Sequence, residues 1–553
     1  MPGTWTPLNN QPTFGAGTML LLTDGTVFCQ NTGTNQWWRL TPDITGSYVN
    51  GTWSQLANGP NAPLYFASAV LRDGRVFVAG GEYNNFEGAD LLAAEIYNPL
   101  TNSWTVLPTP TGWTHIGDAS CCLFPDGRVM IGSIDNNSCA IYDPVANSWT
   151  AAASKVNGSS TNEETWTLLQ DQTILTCDCS GHPQTEKYII AANQWILCGD
   201  TPTDLVEAAS IEIGPALALP DGRLFATGAT GHTALYTMPP NSNQVGTWAN
   251  GPTFPPQAAN QTLGAKDAPG CLLPNGLVLC TAGPVDGVGG DYLSPTYFFE
   301  FNPTTNTLAA TANPPTAGGP PYVGRLLLLP TGQVLFASGT SNIQVYTPTG
   351  APDPTWQPNI TSVPPILIRG STYQLYGRQI NGLSQAVSYG DDATMATNYP
   401  IVRIQYNASG HVYYCRTFNH STLAINTGTV IHHTEFAVPT GAELGAATIT
   451  VVANGIPSDP VPVTVELLKF KEVKEIKVEL KEVEKAVVET IASSSPAGEG
   501  QLLAVVQMLA QRADQAAVAA AEQQPFIKPE ERPDLGSSAT GKLPPPSKAK
   551  SVG

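Results

Sequence analysis

One hairpin motif returns along the chain at a nearly constant interval, and this restricts the fold more than any other feature. Ser68 to Gly81 reads SAVLRDGRVFVAGG: an apolar run, an Asp-Gly pair, a second apolar run, then Gly-Gly. Asp-Gly between alternating apolar runs predicts a tight hairpin with both residues at positive φ in a primed turn. Close copies are CCLFPDGRVMIGS (Cys121 to Ser133), PALALPDGRLFATG (Pro215 to Gly228) and CLLPNGLVLCTAG (Cys271 to Gly283). Looser copies start at Thr18, Thr167 and Arg325. The turns begin at Asp24, Asp73, Asp126, Asp171, Asp221, Asn275 and Thr331, spaced by 49, 53, 45, 50, 54 and 56 residues. A period of about 50 residues with four short strands per unit predicts propeller blades, seven in all.

The remaining strands of each unit recur too. Ala93 to Trp104 (AAEIYNPLTNSW), Cys139 to Trp149 and Tyr297 to Leu308 each give a third strand, a turn and an outer strand. Asn/Asp-Pro and Asn-Ser/Thr pairs mark those turns. The outer strands carry a Thr-Trp, Ser-Trp or Gln-Trp pair, except the Trp-less Asn306-Thr307-Leu308, and run one step ahead of the hairpins, so Trp5 has no hairpin before it. Residues 4–8 are therefore expected to complete the blade begun by Arg325 to Tyr346, removing an exposed sheet edge. Thr355-Trp356 is the other candidate for that outer strand.

The pattern changes after Pro354. Residues 358–465 lack such hairpins and give about seven short alternating runs, which predicts a β-sandwich ending at Val461 to Val465. Residues 466–524 then read as an amphipathic helical tail. Val473, Ile476, Leu480, Val483 and Val487 fall at heptad spacing among lysines and glutamates. Residues 525–553 are Pro-rich and expected to be disordered, with PFIKPEERPDL (Pro525 to Leu535) resembling a short linear motif. The tail is either an appendage or a docking and self-association element.

The net charge is −19, and residues 1–465 hold 13 Lys+Arg against 31 Asp+Glu. So acidic a body is repelled by nucleic acid and anionic lipid, and no nucleic-acid partner is expected. No stretch of about 20 apolar residues predicts a transmembrane helix. MPGTWTPLNNQP has no basic region and no apolar core, so synthesis in the cytoplasm without a Sec-type signal peptide is expected, with export by another route left open. The ten cysteines are scattered and read as buried thiols.

A seven-bladed kelch-type propeller followed by an immunoglobulin-like (early-set) domain resembles the galactose oxidase and glyoxal oxidase family over about residues 1–465. The resemblance implies copper at the propeller mouth, held by two tyrosines and two histidines, with one tyrosine thioether-linked to a cysteine. The cross-linked tyrosine falls on Tyr65 and the axial one on Tyr322. The neighbouring histidine falls on Val323, the cysteine on Gly15 or Ala16, and the histidine from the second domain on Arg416. With one partner set missing, no copper is expected and a copper radical oxidase reaction is not the reading favoured.

The position eight residues before each turn holds, in order, Ala16, Tyr65, Asp118, Glu163, Ile213, Asp267 and Val323. Asp118, Glu163 and Asp267 either cap strand ends in water or form an acidic ring. Such a ring would face Arg416 in the lost copper's place, since a guanidinium relieves mutual carboxylate repulsion, or hold a hard cation such as calcium. His115, His182, the His432-His433 pair and Asp391-Asp392 are weaker candidates, read as loop, strand and turn residues. Three functions stay open: non-catalytic recognition of a glycan or protein at a mouth formed by Tyr65, Asp118, Glu163, Asp267, Tyr322 and Arg416; acid–base or residual oxidase chemistry on a carbohydrate or alcohol; and a structural subunit assembled through residues 466–535.

Overall fold

The computed structural model describes residues 2–285, 292–389 and 395–468. These residues are almost wholly β-structure, with only three short 3-10 turns between strands. Six antiparallel four-stranded sheets occur among them, and a six-stranded sheet contains the same four-strand arrangement from Pro269–Leu272 to Thr307–Ala310. Their innermost strands are Ala16–Leu21, Ala67–Val70, Cys121–Leu123, Trp166–Leu168, Ala216–Ala218, Pro269–Leu272 and Arg325–Leu328. Each adjoins the next, and Arg325–Leu328 adjoins Ala16–Leu21, so the sheets stand around one axis as propeller blades. Every residue of these inner strands but one is small or apolar, and all are buried, as strands covered on both faces require. The exception is Arg325.

The repeated hairpin differs from the expected primed turn. In Leu71–Arg75 the Leu71 and Arg75 backbones pair, and Gly74 N–H donates to the Leu71 carbonyl at 2.8 Å. Only Gly74 has positive φ (85°); Asp73 does not. This is a type I turn closed by a left-handed glycine. Aspartate is selected for its side chain, not its φ tolerance. Asp73 Oδ1 accepts from Arg75 N at 3.0 Å, and Asp24, Asp126 and Asp221 do the same two residues on.

A second repeated device ties neighbouring blades. Outer-strand indoles donate to a carbonyl of the preceding unit: Trp53 to Asn10 (3.1 Å), Trp104 to Ala57 (3.0 Å), Trp149 to Pro108 (2.7 Å). Tyr97, Tyr142 and Tyr188 donate to Asn102, Asn147 and Asn193, which sit at positive φ in the turn before each Trp. The Tyr-x4-Asn-x-Trp spacing is therefore a local lock that also reaches the neighbour.

Strand Thr4–Pro7 pairs antiparallel with Gln344–Thr347, Trp5 opposite Tyr346. The Trp5 ring packs on Phe298 and Tyr346 (5.0 and 4.8 Å), and its indole N–H donates to Ala312 O at 2.7 Å. Pro354–Trp356 forms a 3-10 turn instead.

Residues 359–466 form two sheets that share the strand Val412–Phe418 and enclose a separate core including Leu375, Val402, Ile404, Phe436 and Ile449. This β-sandwich ends in Val461–Glu466, which also pairs in parallel with Ile366–Ile368. It packs on the turn side of the propeller. Thr417 N donates to Thr23 O (3.1 Å) and Leu423 N to Pro125 O (2.8 Å), while Ile425 O accepts from Gln172 Nε2 (2.8 Å). From the sandwich, Val387–Tyr389 runs into the ring and pairs with the inner strand Pro269–Leu272. All ten cysteines are free and buried. Among the described residues no helix is long and apolar enough to cross a membrane. The helical tail expected over 466–524 and the PFIKPEERPDL motif lie outside the described residues.

Trp5→Ala is expected to lower the unfolding free energy by roughly 2–4 kcal/mol, because it removes both the aromatic packing and the bond to Ala312. Val145→Ala, at a side chain 94% exposed, is the control and should change it by less than about 0.5 kcal/mol. Denaturant titration of both variants measures the difference.

Candidate functional site: an acidic, aromatic mouth

Each inner strand is entered from one end of the ring and left through the hairpin turn at the other. Residues just before the strands therefore converge on the axis at the end opposite the sandwich. There they line a cavity of about 410 Å³. Five carboxylates face it: Glu82, Asp118, Glu163, Glu212 and Asp267. Six aromatic rings share the wall: Tyr65, Tyr83, Phe86, Tyr292, Tyr322 and Tyr389. Leu64 completes the lining, and among the described residues no lysine, arginine, histidine or cysteine belongs to it.

The expected residues Tyr65, Asp118, Glu163, Asp267 and Tyr322 all reach this cavity. Arg416 does not, which corrects the expectation of an arginine at the mouth. It lies in Val412–Phe418, follows the sandwich onto the turn side, donates to Asp73 O at 3.3 Å and stacks over Phe418 at 3.9 Å. Tyr65 precedes the strand Ala67–Val70 and Asp73 follows it, so Arg416 sits at the wrong end of the ring. The sandwich instead sends Tyr389 to the mouth, and its hydroxyl donates to Tyr322 O at 2.7 Å.

Glu212 is a residue the counting rule missed. Eight residues before the turn lies Ile213, which is buried in the core. A bridge between Glu207 and Glu212, with Ile211 at φ 65°, shifts the register by one and turns Glu212 to the cavity. The same slip delivers Tyr322 rather than Val323, through the short 3-10 turn Pro321–Val323. Three carboxylates, Glu163, Glu212 and Asp267, bring one oxygen each within 4.8 Å of one another; Asp118 lines the cavity but stands outside that group.

Glu82, Tyr83 and Phe86 come from an added hairpin in which Tyr83–Asn84 pairs with Glu87–Gly88. Phe86, near its tip, is 59% exposed. The Glu82 carboxylate, with burial, raises the Tyr83 phenol above its usual range. Burial, then Asp267 and Glu212, drives the Tyr292 phenol far upward, and its hydroxyl donates to Glu212. Tyr292 therefore stays a neutral donor.

Backbone strain collects here. Tyr65, Glu163 and Asp267 have φ of 52°, 61° and 45°, a region that costs a residue with a Cβ on the order of 1 kcal/mol or more. Glu163 is held from below. Cys179 Sγ donates to its carbonyl at 2.9 Å, and the next residue, Glu164, is anchored in a buried ionic cluster. There Lys155 Nζ meets Glu164, with Asp178 at 3.1 Å and Glu186 at 3.6 Å, all four side chains fully buried. Trp166 Nε1 and Thr176 Oγ1 also donate to Glu164, at 3.1 and 3.0 Å. Burial works to lower the Lys155 ammonium, but the three carboxylates outweigh it and hold it charged. One ammonium does not offset three buried carboxylates, and burial pushes Glu164 up to about 7 despite Lys155.

The weaker candidates are not brought to the mouth. His115 pairs with Asp135 and His182 with Asp204. His432 and His433 lie on the strand Ile431–Ala437 of the sandwich, and Asp391-Asp392 falls outside the described residues.

A family model for the Kelch motif matches residues 63–111, the unit that begins with Tyr65. The chain is 26% identical over 139 residues to the Kelch-like protein terF of Aspergillus terreus, a stretch that is 24% of this chain and 28% of that protein's length. Among solved structures, a novel fungal alcohol oxidase of the AA5 family, in complex with copper, aligns with a TM-score of 0.47 and 12% identity over 84% of this chain and 99% of the other. YCF48 from Cyanidioschyzon merolae aligns with a TM-score of 0.40 and 9% identity over 62% and 98%.

A carboxyl whose proton is held more tightly in the folded chain stabilises it most below its unfolded value, and the benefit is lost as pH rises through the folded one. Thermal stability is expected to fall as pH is raised from about 5 to about 8, by on the order of 3 kcal/mol from Glu164 alone. Glu164→Gln should flatten that slope, and melting curves across the range read it directly.

Proposed function

We propose that this chain is a seven-bladed kelch propeller of the galactose oxidase-like type that recognises a ligand at its mouth rather than oxidising one. In this reading residues 1–354 are the propeller, closed by the N-terminal strand, and 358–465 are the sandwich. The observation that carries it is the composition of the mouth. A concave site of about 410 Å³ with aromatic walls and a few convergent polar groups has the form of a small-ligand pocket.

The same composition does not fit copper. Tyr65 and Tyr322 are the family's two tyrosines, but no histidine or cysteine lines the cavity among the described residues. Two phenols among hard carboxylates are a poor Cu(II) donor set, because copper prefers imidazole and thiolate. Positions 15 and 16, on one of which the thioether cysteine would stand, are a glycine and a buried alanine. No oxidative step is therefore derived.

A second reading is favoured by one observation, the convergence of Glu163, Glu212 and Asp267 oxygens within 4.8 Å. Grouped carboxylates can divide acid and base roles on a carbohydrate or alcohol, or hold a calcium ion. Residues 466–553 serve docking or self-association in both readings, supported by the heptad spacing of Val473 to Val487.

Purified protein is expected to contain no stoichiometric copper by elemental mass spectrometry and to release no peroxide from alcohols or aldehydes. Stoichiometric copper with peroxide release overturns the recognition reading. Turnover of a glycan that disappears in Glu163→Gln supports the second. Removing residues 468–553, which leaves the last sandwich strand whole, should leave the melting temperature of the remainder within a few degrees while abolishing any oligomer or partner complex, as size-exclusion chromatography with light scattering would read.

A further inference from the structure

We propose that the mouth cavity takes a small organic cation: a protonated amine or a quaternary ammonium compound. The inference rests on the recognition reading above and names the ligand class of that site. Five carboxylates and no cationic side chain line the cavity among the described residues. In a concave site with low-dielectric walls such a set concentrates cations and repels anions. A neutral polyol would leave that field unanswered.

The aromatic geometry separates an organic cation from a bare metal ion. Tyr65 lies 6.1 Å from Tyr83 at 69° and 6.4 Å from Tyr322 at 57°; Tyr292 lies 4.9 Å from Tyr322 at 67°. These rings line the cavity at steep mutual angles and do not stack face to face on one another. The π-faces of such rings attract alkylammonium groups within about 6 Å, whereas a hard divalent ion would use only the carboxylate oxygens. Phe86, exposed near the tip of the rim hairpin, offers apolar surface to the organic part of the ligand.

The chain already uses these rings in this way. Lys266 Nζ lies 4.2 Å from the Tyr292 centroid, and the Arg325 guanidinium lies 3.6 Å from that of Tyr389 and 5.7 Å from that of Tyr65. Neither side chain lines the cavity. Lys266 pairs with Glu207 at 3.3 Å, and Arg325 Nη1 donates to the Tyr322 and Gly324 carbonyls at 2.7 and 2.8 Å. The rings are thus held by internal cations from outside the cavity while the carboxylates face inward.

Isothermal titration of the full-length protein with choline, tyramine and spermidine tests the inference. Choline has an uncharged carbon isostere, 3,3-dimethyl-1-butanol, which serves as the control. At least one of the three cations is expected to bind stoichiometrically, and more weakly as sodium chloride is raised. For choline, the isostere is expected to bind about tenfold more weakly or less well still. Glu163→Gln and Tyr322→Leu should each weaken cation binding by about tenfold, and the salt and isostere comparisons on the unaltered chain do not depend on variants that fold. Failure of all three cations overturns the proposal. So does equal binding of the isostere, or tight calcium binding that no organic cation competes with. If a neutral saccharide or peptide binds instead and Tyr322→Leu abolishes it, the cation class is wrong but mouth recognition stands. A ligand whose binding ignores Tyr322→Leu, Glu163→Gln and Asp267→Asn together removes mouth recognition itself.

Discussion

Four residues hold the ring together. When Thr4–Pro7 pairs with Gln344–Thr347, the last blade gains its outer strand from the opposite end of the chain. Each blade is a small twisted sheet that cannot bury both faces alone, so it depends on two neighbours. Closing the circle gives every blade its second neighbour and leaves no inner strand exposed. The indole and tyrosine locks extend the same tie along the rim, with Trp53, Trp104 and Trp149 reaching back to the preceding unit.

Closure also creates the mouth. The chain entries to the inner strands include polar or strained residues, Tyr65, Asp118, Glu163, Glu212 and Asp267, that all line the mouth. In the ring they meet, and carboxylates from three successive blades come within 4.8 Å of one another. Crowding of like charge and left-handed backbone at Tyr65, Glu163 and Asp267 both oppose folding. They persist because the layers beneath are over-determined, most visibly around Glu163, where Cys179 and the Lys155 cluster fix the backbone on either side.

The sandwich contributes at both ends. Its body covers the turn side, where Asx-capped hairpins leave carbonyls such as Thr23 O and Pro125 O to accept from it. One excursion, Val387–Tyr389, adds to an inner strand and carries a tyrosine through to the opposite face. The sandwich thus contributes to the wall of the mouth cavity through Tyr389.

The repeat was legible in the residues because hairpin and outer-strand chemistry is local: Asp caps a turn two residues on, Asn takes the left-handed turn position, Trp follows at fixed spacing. Tyr65, Asp118, Glu163 and Asp267 could be placed at the mouth by counting from those turns, and Tyr322 by the family resemblance. Counting failed where the backbone does not keep step, at the Ile211 irregularity that exchanges Ile213 for Glu212. It also failed for Arg416, because a residue's distance along the sandwich says nothing of which end of the ring it meets. The amino-acid order alone determined the blade, its period and the acid groups at Asp118, Glu163 and Asp267, since these follow from short-range hydrogen bonding and strand alternation. Only the tertiary structure decided that Glu212, Tyr292 and Tyr389 join them and that Arg416 stays away. Those placements depend on long-range packing, which no local spacing encodes.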